Sequence, residues 1–432
     1  MAIPEILHDQ RQELERALQR LSLVPREAEK GFYFDSHLIQ VVSGVRRCGK
    51  SVLIYKLLQG KEFGYVNFDD DRLLKVEPNE ILAGLYQIYG KQLQILFLDE
   101  IQNLEHWELF VNRLHRADFK IFLTGSNAKL LAKEMATHLT GRHRTVELFP
   151  FSFKEFLLAK NFHEDIGSTR GRSLAAQLLQ EYLQLGGFPE IVLGREEPML
   201  YLRELYRRIV ERDIVSRYNV AYKKTLKEIA YTIISNPGKQ VSYGKMRRQF
   251  GLGSDHTVKN YLSYLEEAYL MATVSKFSFK PVEIEKSEKK TYGIDTGMLT
   301  AMSVQSGRDF GQIYENAVVL ELLRRQAYFP ALEIYYWKSP EQEEVDFVLR
   351  ENKKVTGLIQ VCYEFKNETT KKRELHALLK ASKNLHCTNL LIITNNKEGE
   401  ELNTWFGIQR KVKYIPLWKW LLEPNESNQR TK

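Results

Sequence analysis

Short apolar runs alternate with helical patterns over the first third of the chain. Leu38–Val42 reads as a strand buried on both faces, and Ser51–Leu58 follows with apolar residues at helical spacing. Gln94–Leu98 and Phe119–Gly125 repeat the strand pattern, and each ends in polar residues. Continuous apolar runs, as opposed to alternating ones, belong in a parallel sheet covered by helices on both faces. Residues 171–232 carry charges among apolar residues at helical spacing, as in Arg172–Leu183 and Met199–Tyr218, and read as helices with solvated faces.

After Asn236-Pro-Gly238 the pattern changes. Val241–Phe250 is a short basic helix, Gly251-Leu-Gly253 a tight turn, and Ser254 an N-cap for a second helix, Asp255–Ala268. Val258, Leu262 and Leu265 line that helix's buried stripe, leaving His256, Lys259, Asn260 and Ser263 toward solvent. Met271–Phe277, a charged tip from Glu283 to Lys290, and Thr291–Ile294 complete a hairpin. Helix–turn–helix followed by a hairpin is the pattern of a winged helix, whose second helix enters the DNA major groove. Lys245, Arg247, Arg248 and Lys259 suit phosphates; His256 and Asn260 suit base edges. The same module also serves as a protein-packing element, and that alternative stays open. From about Gly307 a further unit begins. It holds an amphipathic helix from Tyr314, strands at Glu333–Trp337, Glu344–Leu349 and Gly357–Tyr363, a helix at Lys371–Ser382 and a strand at Asn389–Thr394.

With 432 residues the chain is too long for one ordinary core, and 43% apolar with 27% charged residues excludes general disorder. No stretch approaches the ~20 apolar residues of a membrane span, and the mixed-charge N-terminus has no secretory pattern. Three scattered cysteines, Cys48, Cys362 and Cys387, point to a reducing compartment, so a cytoplasmic location is expected. The net charge of +8 is compatible with a polyanionic partner.

The candidate chemistry starts at Gly44-Val45-Arg46-Arg47-Cys48-Gly49-Lys50-Ser51, which fits G-x-x-x-x-G-K-[ST] at every fixed position, between a strand and a helix. The glycines let consecutive N–H groups and the helix N-terminus face phosphates. Lys50 suits the β- and γ-phosphates of ATP, and Ser51 is a Mg²⁺ ligand. Arg46 and Arg47 have no assigned role, and Cys48 raises the question of oxidation sensitivity. Asp99 and Glu100, at the end of a buried strand, suit Mg²⁺ and the attacking water respectively. Asn127, after the third strand, is placed to touch the γ-phosphate or the water, and Arg142 or Arg144 is a candidate arginine finger or sensor.

In this order the loop, Leu96-Phe-Leu-Asp-Glu100, Leu123-Thr-Gly-Ser-Asn127, and Gly141-Arg142 with Leu148–Phe156 resemble the AAA-type ATPases. More narrowly they resemble the predicted ATPases of bacteria and archaea that carry a C-terminal domain of unknown function. The resemblance implies an oligomerising or switch-like ATPase core, and a Gly-x-Pro element at Gly186–Pro189 that reports nucleotide state from a helical lid. The last unit resembles the restriction-endonuclease-like fold. In active members of that fold an early Glu, an Asp and a Glu-x-Lys assemble a Mg²⁺ site; Glu315 and Asp346 match, but Gln360-Val-Cys362 stands where Glu-x-Lys belongs.

The expected architecture is therefore α/β: a P-loop NTPase core with a parallel sheet over 1–165, a helical lid plus winged helix-turn-helix over 166–300, and a nuclease-like, inactive α/β domain over 301–432. The expected function is an oligomeric, Mg²⁺-dependent ATPase that remodels or moves on DNA. The alternatives are a nucleotide-dependent switch that binds a protein partner and, behind it, an active metal-dependent nuclease.

Overall fold

Residues 2–19, 21–126, 139, 141–303, 310–365 and 368–424 are described by the structure, a computed structural model. Among them, the chain gathers into two units, Met1–Pro150 with Glu267–Tyr269, and Phe151–Glu266 with Leu270–Lys432. The sequence alone leads one to expect three domains, over 1–165, 166–300 and 301–432.

The apolar runs of the first unit become parallel strands. β1 (Ile39–Gly44), β2 (Gly64–Asn67), β3 (Ile95–Asp99), β4 (Lys120–Gly125) and β5 (His143–Leu148) form one sheet in the order β2-β3-β4-β1-β5. Every pairing in it is parallel. β1 is buried throughout, and so are β3 from Leu96 and β4 from Ile121, which is why their sequences lack alternation. Ile39, Val41, Val66, Leu96, Leu98 and Leu123 pack in one core with Ile6 and Leu7 of α1 (Ile3–Gln19), Ile81 and Leu85 of α3 (Pro78–Tyr89), and Trp107, Phe110 and Leu114 of α4 (Trp107–Arg116). α2 (Lys50–Leu58) starts directly after the loop that leaves β1. The order brings the carboxyl ends of β1, β3 and β4 side by side, where such sheets bind ligands. A mixed α/β unit with a five-stranded parallel sheet of this kind matches a P-loop NTPase core.

In the second unit, nine strands among the described residues form one sheet, ordered β13-β14-β12-β11-β10-β9-β7-β8-β6. β6 (Lys239–Val241), β7 (Met271–Lys276) and β8 (Lys289–Gly293) come from the helix–turn–helix region; β9 (Leu332–Lys338), β10 (Glu344–Glu351), β11 (Lys354–Val361), β12 (Leu390–Thr394), β13 (Gly399–Trp405) and β14 (Ile408–Pro416) come from the last third. β7 and β9 pair in parallel, Ser275 opposite Tyr335, and the Phe277 N–H donates to the Tyr336 carbonyl at 2.7 Å. The hairpin and the C-terminal strands therefore share one sheet across the boundary expected at residue 300. The expected charged tip resolves into a short helix, Pro281–Lys286, and a buried strand residue, Lys290. The single helix expected over Met199–Tyr218 is a helix over Pro198–Arg208 that widens into π-type turns over Ile209–Ser216.

Gly186–Pro189 turns over a buried carboxylate in this unit. Asp295 accepts the N–H of Gly187 at 2.7 Å and of Met298 at 2.9 Å. A Cβ on Gly186 (φ +77°) would lie 2.1 Å from an Asp295 oxygen, so that position requires glycine. Burial raises the Asp295 carboxyl from 3.8 to about 6, against the pull of the two N–H donors. Because the folded value exceeds the unfolded one, the stability it contributes is complete below about pH 4 and lost as pH rises through 6. Urea denaturation of wild type and Asp295→Asn should therefore diverge by up to ~3 kcal/mol between pH 4 and pH 6.5 in favour of the variant at the higher pH; parallel profiles contradict this.

Candidate nucleotide site

The loop after β1 is built on two glycines with different duties. Gly44 (φ +147°) lies against β5, and a Cβ there would sit 2.0 Å from the Leu148 carbonyl oxygen. Gly49 (φ +95°) turns the chain into the first residue of α2. Between them, the Val45 N–H and the Cys48 thiol both donate to the Leu148 carbonyl, at 3.3 Å each, which fastens the loop to β5. Arg26 braces it from outside, donating to the carbonyls of Cys48 at 2.8 Å and Phe149 at 2.7 Å. The Lys50 ammonium donates to the loop carbonyls of Gly44 at 3.2 Å and Val45 at 3.1 Å, and lies 3.8 Å from Glu100. Arg46 pairs with Asp69 at 3.9 Å, whereas Arg47 (φ +68°) is exposed. Cys48 is fully buried and burial raises its thiol, so it lacks the exposed thiolate that oxidation requires.

Asp99 ends β3 as a buried carboxylate held by three hydroxyls. Ser51 donates to Oδ1 at 3.0 Å, Tyr65 to Oδ2 at 3.1 Å, and Thr124 to Oδ1. Burial pushes this carboxyl above its ordinary value, as does Glu100 beside it, while the hydroxyls act in the opposite direction. Glu100 follows in a left-handed conformation, φ +51°, with its N–H donating to Thr124 Oγ1 at 2.9 Å. Its carboxylate accepts from Gln102 Nε2 at 2.5 Å. Burial opposes its charge, but Lys50 and Gln102 outweigh that and hold Glu100 below its ordinary value. Lys50 and Gln102 thus favour the charged form of Glu100, the form a proton acceptor needs.

Lys50, Ser51, Asp99 and Glu100 therefore come together. The residues present fit a nucleotide with Mg²⁺: a helix N-terminus, a buried ammonium, and a hydroxyl on a carboxylate at one strand end. Arg142 and Arg144 stand elsewhere. Arg142 lies just before β5, its carbonyl accepting the Ile39 N–H at 2.9 Å, and Arg144 is opposite Gln40, whereas the loop is opposite Leu148, about 20 and 13 Å along the strand respectively. Arg142 donates to Asn112 Oδ1 at 2.7 Å, and Arg144 stacks 4.2 Å over the Tyr33 ring. Asn127 lies outside the described residues.

Among the candidate nucleic-acid residues, Lys245, Arg248, His256 and Lys259 are exposed; Arg247 pairs with Asp255 at 3.5 Å, and Asn260 is half-buried with its amide 3.3 Å from the His256 ring. The stripe of Val258, Leu262 and Leu265 is buried, with Tyr261 beside it. Sequence reasoning misses Tyr65, Thr124, Gln102 and Arg26. Thr124 stands within Leu123-Thr-Gly-Ser-Asn127, where no sequence pattern sets its hydroxyl apart from the polar residues that follow.

The AAA domain family matches residues 36–157, and two domains of unknown function, DUF8612 and DUF4143, match 176–309 and 310–420. An uncharacterized protein of Methanocaldococcus jannaschii is 39% identical over 400 residues, covering 89% of this chain and 88% of its own length. An uncharacterized protein of Haemophilus influenzae is 32% identical over 354 residues, covering 78% and 85%. Among solved structures, the Walker-type ATPase of Pyrococcus abyssi is similar over 66% of this chain and 97% of its own, at 14% identity and a TM-score of 0.43.

The Gly44 geometry makes a direct prediction. Gly44→Ala should weaken ATP binding at least ~10-fold by fluorescent-nucleotide titration, because the added methyl displaces the loop from β5. Gly60→Ala is the control, since its φ is +79° but nothing lies within 4 Å. Equal affinities for wild type and Gly44→Ala would contradict the steric account.

Proposed function

We propose that this chain, which belongs to one family with the Methanocaldococcus jannaschii and Haemophilus influenzae relatives and carries an AAA domain over residues 36–157, binds Mg²⁺-ATP at Gly44–Ser51 and hydrolyses it. The carrying observation is the convergence of Lys50, Ser51, Asp99 and Glu100 at the carboxyl end of one parallel sheet. The loop N–H groups and the α2 N-terminus bind the phosphates, and the Lys50 ammonium exchanges its loop carbonyls for phosphate oxygens. Ser51 and Asp99 hold Mg²⁺, which when bound neutralises charge on the phosphates. Tyr65 and Thr124 fix the Asp99 carboxylate, while Gln102 and the Thr124 hydroxyl set the direction of Glu100. Glu100 accepts the proton of the attacking water. Arg142 and Arg144, at the far end of β5, serve a nucleotide only if it belongs to a second copy, so an arginine-finger role requires an oligomer.

A DNA-directed use of the ATP cycle is the second part of this reading. It is supported by the exposed Lys245, Arg248, His256 and Lys259 on a helix–turn–helix with a hairpin attached. The rival is a slow nucleotide switch that acts on a protein partner.

Glu100→Gln should retain ATP binding and lose about 10²–10³ in turnover, whereas Lys50→Ala loses binding itself. Unchanged turnover in Glu100→Gln contradicts its assignment as the base. ATPase rates across single-stranded, duplex and branched DNA should rise, and Arg248→Glu with Lys259→Glu should abolish the rise while leaving the basal rate. No stimulation by any DNA leaves the switch reading in its place.

A further inference from the structure

Lys290 is a buried lysine, 2% exposed, whose ammonium meets three carboxylates inside the second unit. Its Nζ lies 2.9 Å from Glu315 Oε1 on the helix Phe310–Tyr328, 2.6 Å from Glu344 Oε1 and 3.2 Å from Asp346 Oδ1 on β10. Neighbouring donors fix these carboxylates. Tyr292 donates to Glu315 Oε1 at 2.7 Å, Gln240 to Glu344 Oε2 at 2.6 Å, and the Val361 N–H to Asp346 Oδ2 at 2.9 Å. Three oxygens from three side chains around one buried positive charge is the arrangement that hard divalent cations otherwise take.

The nuclease-like resemblance asks for a metal at Glu315 and Asp346, with an acid and a lysine supplied by β11. Here β11 supplies Gln360, and its amide is already committed: Oε1 accepts the Asp346 N–H at 3.3 Å and Nε2 donates to Glu374 at 2.5 Å. The positive charge arrives instead from β8, a strand of the hairpin. A divalent ion among these oxygens would share their centre with the ammonium, at separations where like charges repel strongly in a dry interior. The residues therefore do not fit a metal while Lys290 is in place.

We propose that the Lys290 ammonium is the resident cation of the Glu315–Glu344–Asp346 cluster, so that the cluster takes up Mg²⁺ or Mn²⁺ only in a chain that lacks it. Two consequences follow. This cluster offers no seat for metal-dependent phosphodiester cleavage, and the hairpin strand β8 is fastened to β10 and to the helix Phe310–Tyr328 by a buried ionic contact. The inference is independent of the ATPase reading.

The test is Mn²⁺ binding by calorimetry to the full chain without nucleotide. Lys290→Met should gain one Mn²⁺ relative to wild type, and Lys290→Met with Asp346→Asn should lose it again. Added Mn²⁺ should raise the melting temperature of Lys290→Met by about 3 °C or more and leave wild type within about 1 °C. A folded Lys290→Met that gains no Mn²⁺ overturns the proposal. Asp346→Asn in the wild-type background gives a second reading that does not need the lysine variant to fold. Identical Mn²⁺ isotherms for wild type and Asp346→Asn support the resident ammonium, and loss of one bound Mn²⁺ in Asp346→Asn overturns it.

Discussion

The candidate site depends on keeping one carboxylate ionisable inside an apolar sheet. Asp99 ends a strand whose Leu96, Phe97 and Leu98 are fully buried, and a charge in that setting costs several kcal/mol unless hydrogen bonds offset it. The offset comes from neighbouring strands and α2: Tyr65 on β2, Thr124 on β4 and Ser51 on α2 all donate to it. The order that places β3 between β2 and β4, with β1 next to β4, brings those hydroxyls and the loop together. Thr124 then does double duty, since its oxygen also accepts the Glu100 N–H and fixes the left-handed turn.

Much of this core is legible in sequence. The runs at Leu38–Val42, Gln94–Leu98 and Phe119–Gly125 each begin one residue before a strand that is buried almost throughout, and a buried strand advertises itself by continuity. Four-residue β2 carries too little pattern to stand out, so Tyr65 and its bond to Asp99 go unseen. β5 mixes half-buried, exposed and buried positions, and its sequence offers only a charged Arg pair, which hides that Leu148 is the carbonyl on which the loop hangs. The positions of Arg142 and Arg144 follow from register, and register between distant strands is not written in either strand alone.

The second unit shows the same limit more sharply. A segment with charges at Glu283, Glu285, Lys286, Glu288, Lys289 and Lys290 looks solvated by composition, yet its last residue is buried among acids contributed by segments 25 to 56 residues away. Local charge density predicts exposure only where no distant partner exists. The pairing of β7 with β9 is equally non-local, and it joins a hairpin expected to stand apart to the C-terminal strands in one sheet of nine strands among the described residues.

The account's central claim is that Asp99, Ser51 and the loop hold Mg²⁺ for ATP hydrolysis. Phosphate release from ATP by the purified chain, followed with and without Mg²⁺ for wild type and Asp99→Asn, tests it most directly. The account predicts Mg²⁺-dependent release by wild type and a fall of about 100-fold or more in the variant. Wild type that releases no phosphate with Mg²⁺, or Asp99→Asn that matches it, would contradict the claim.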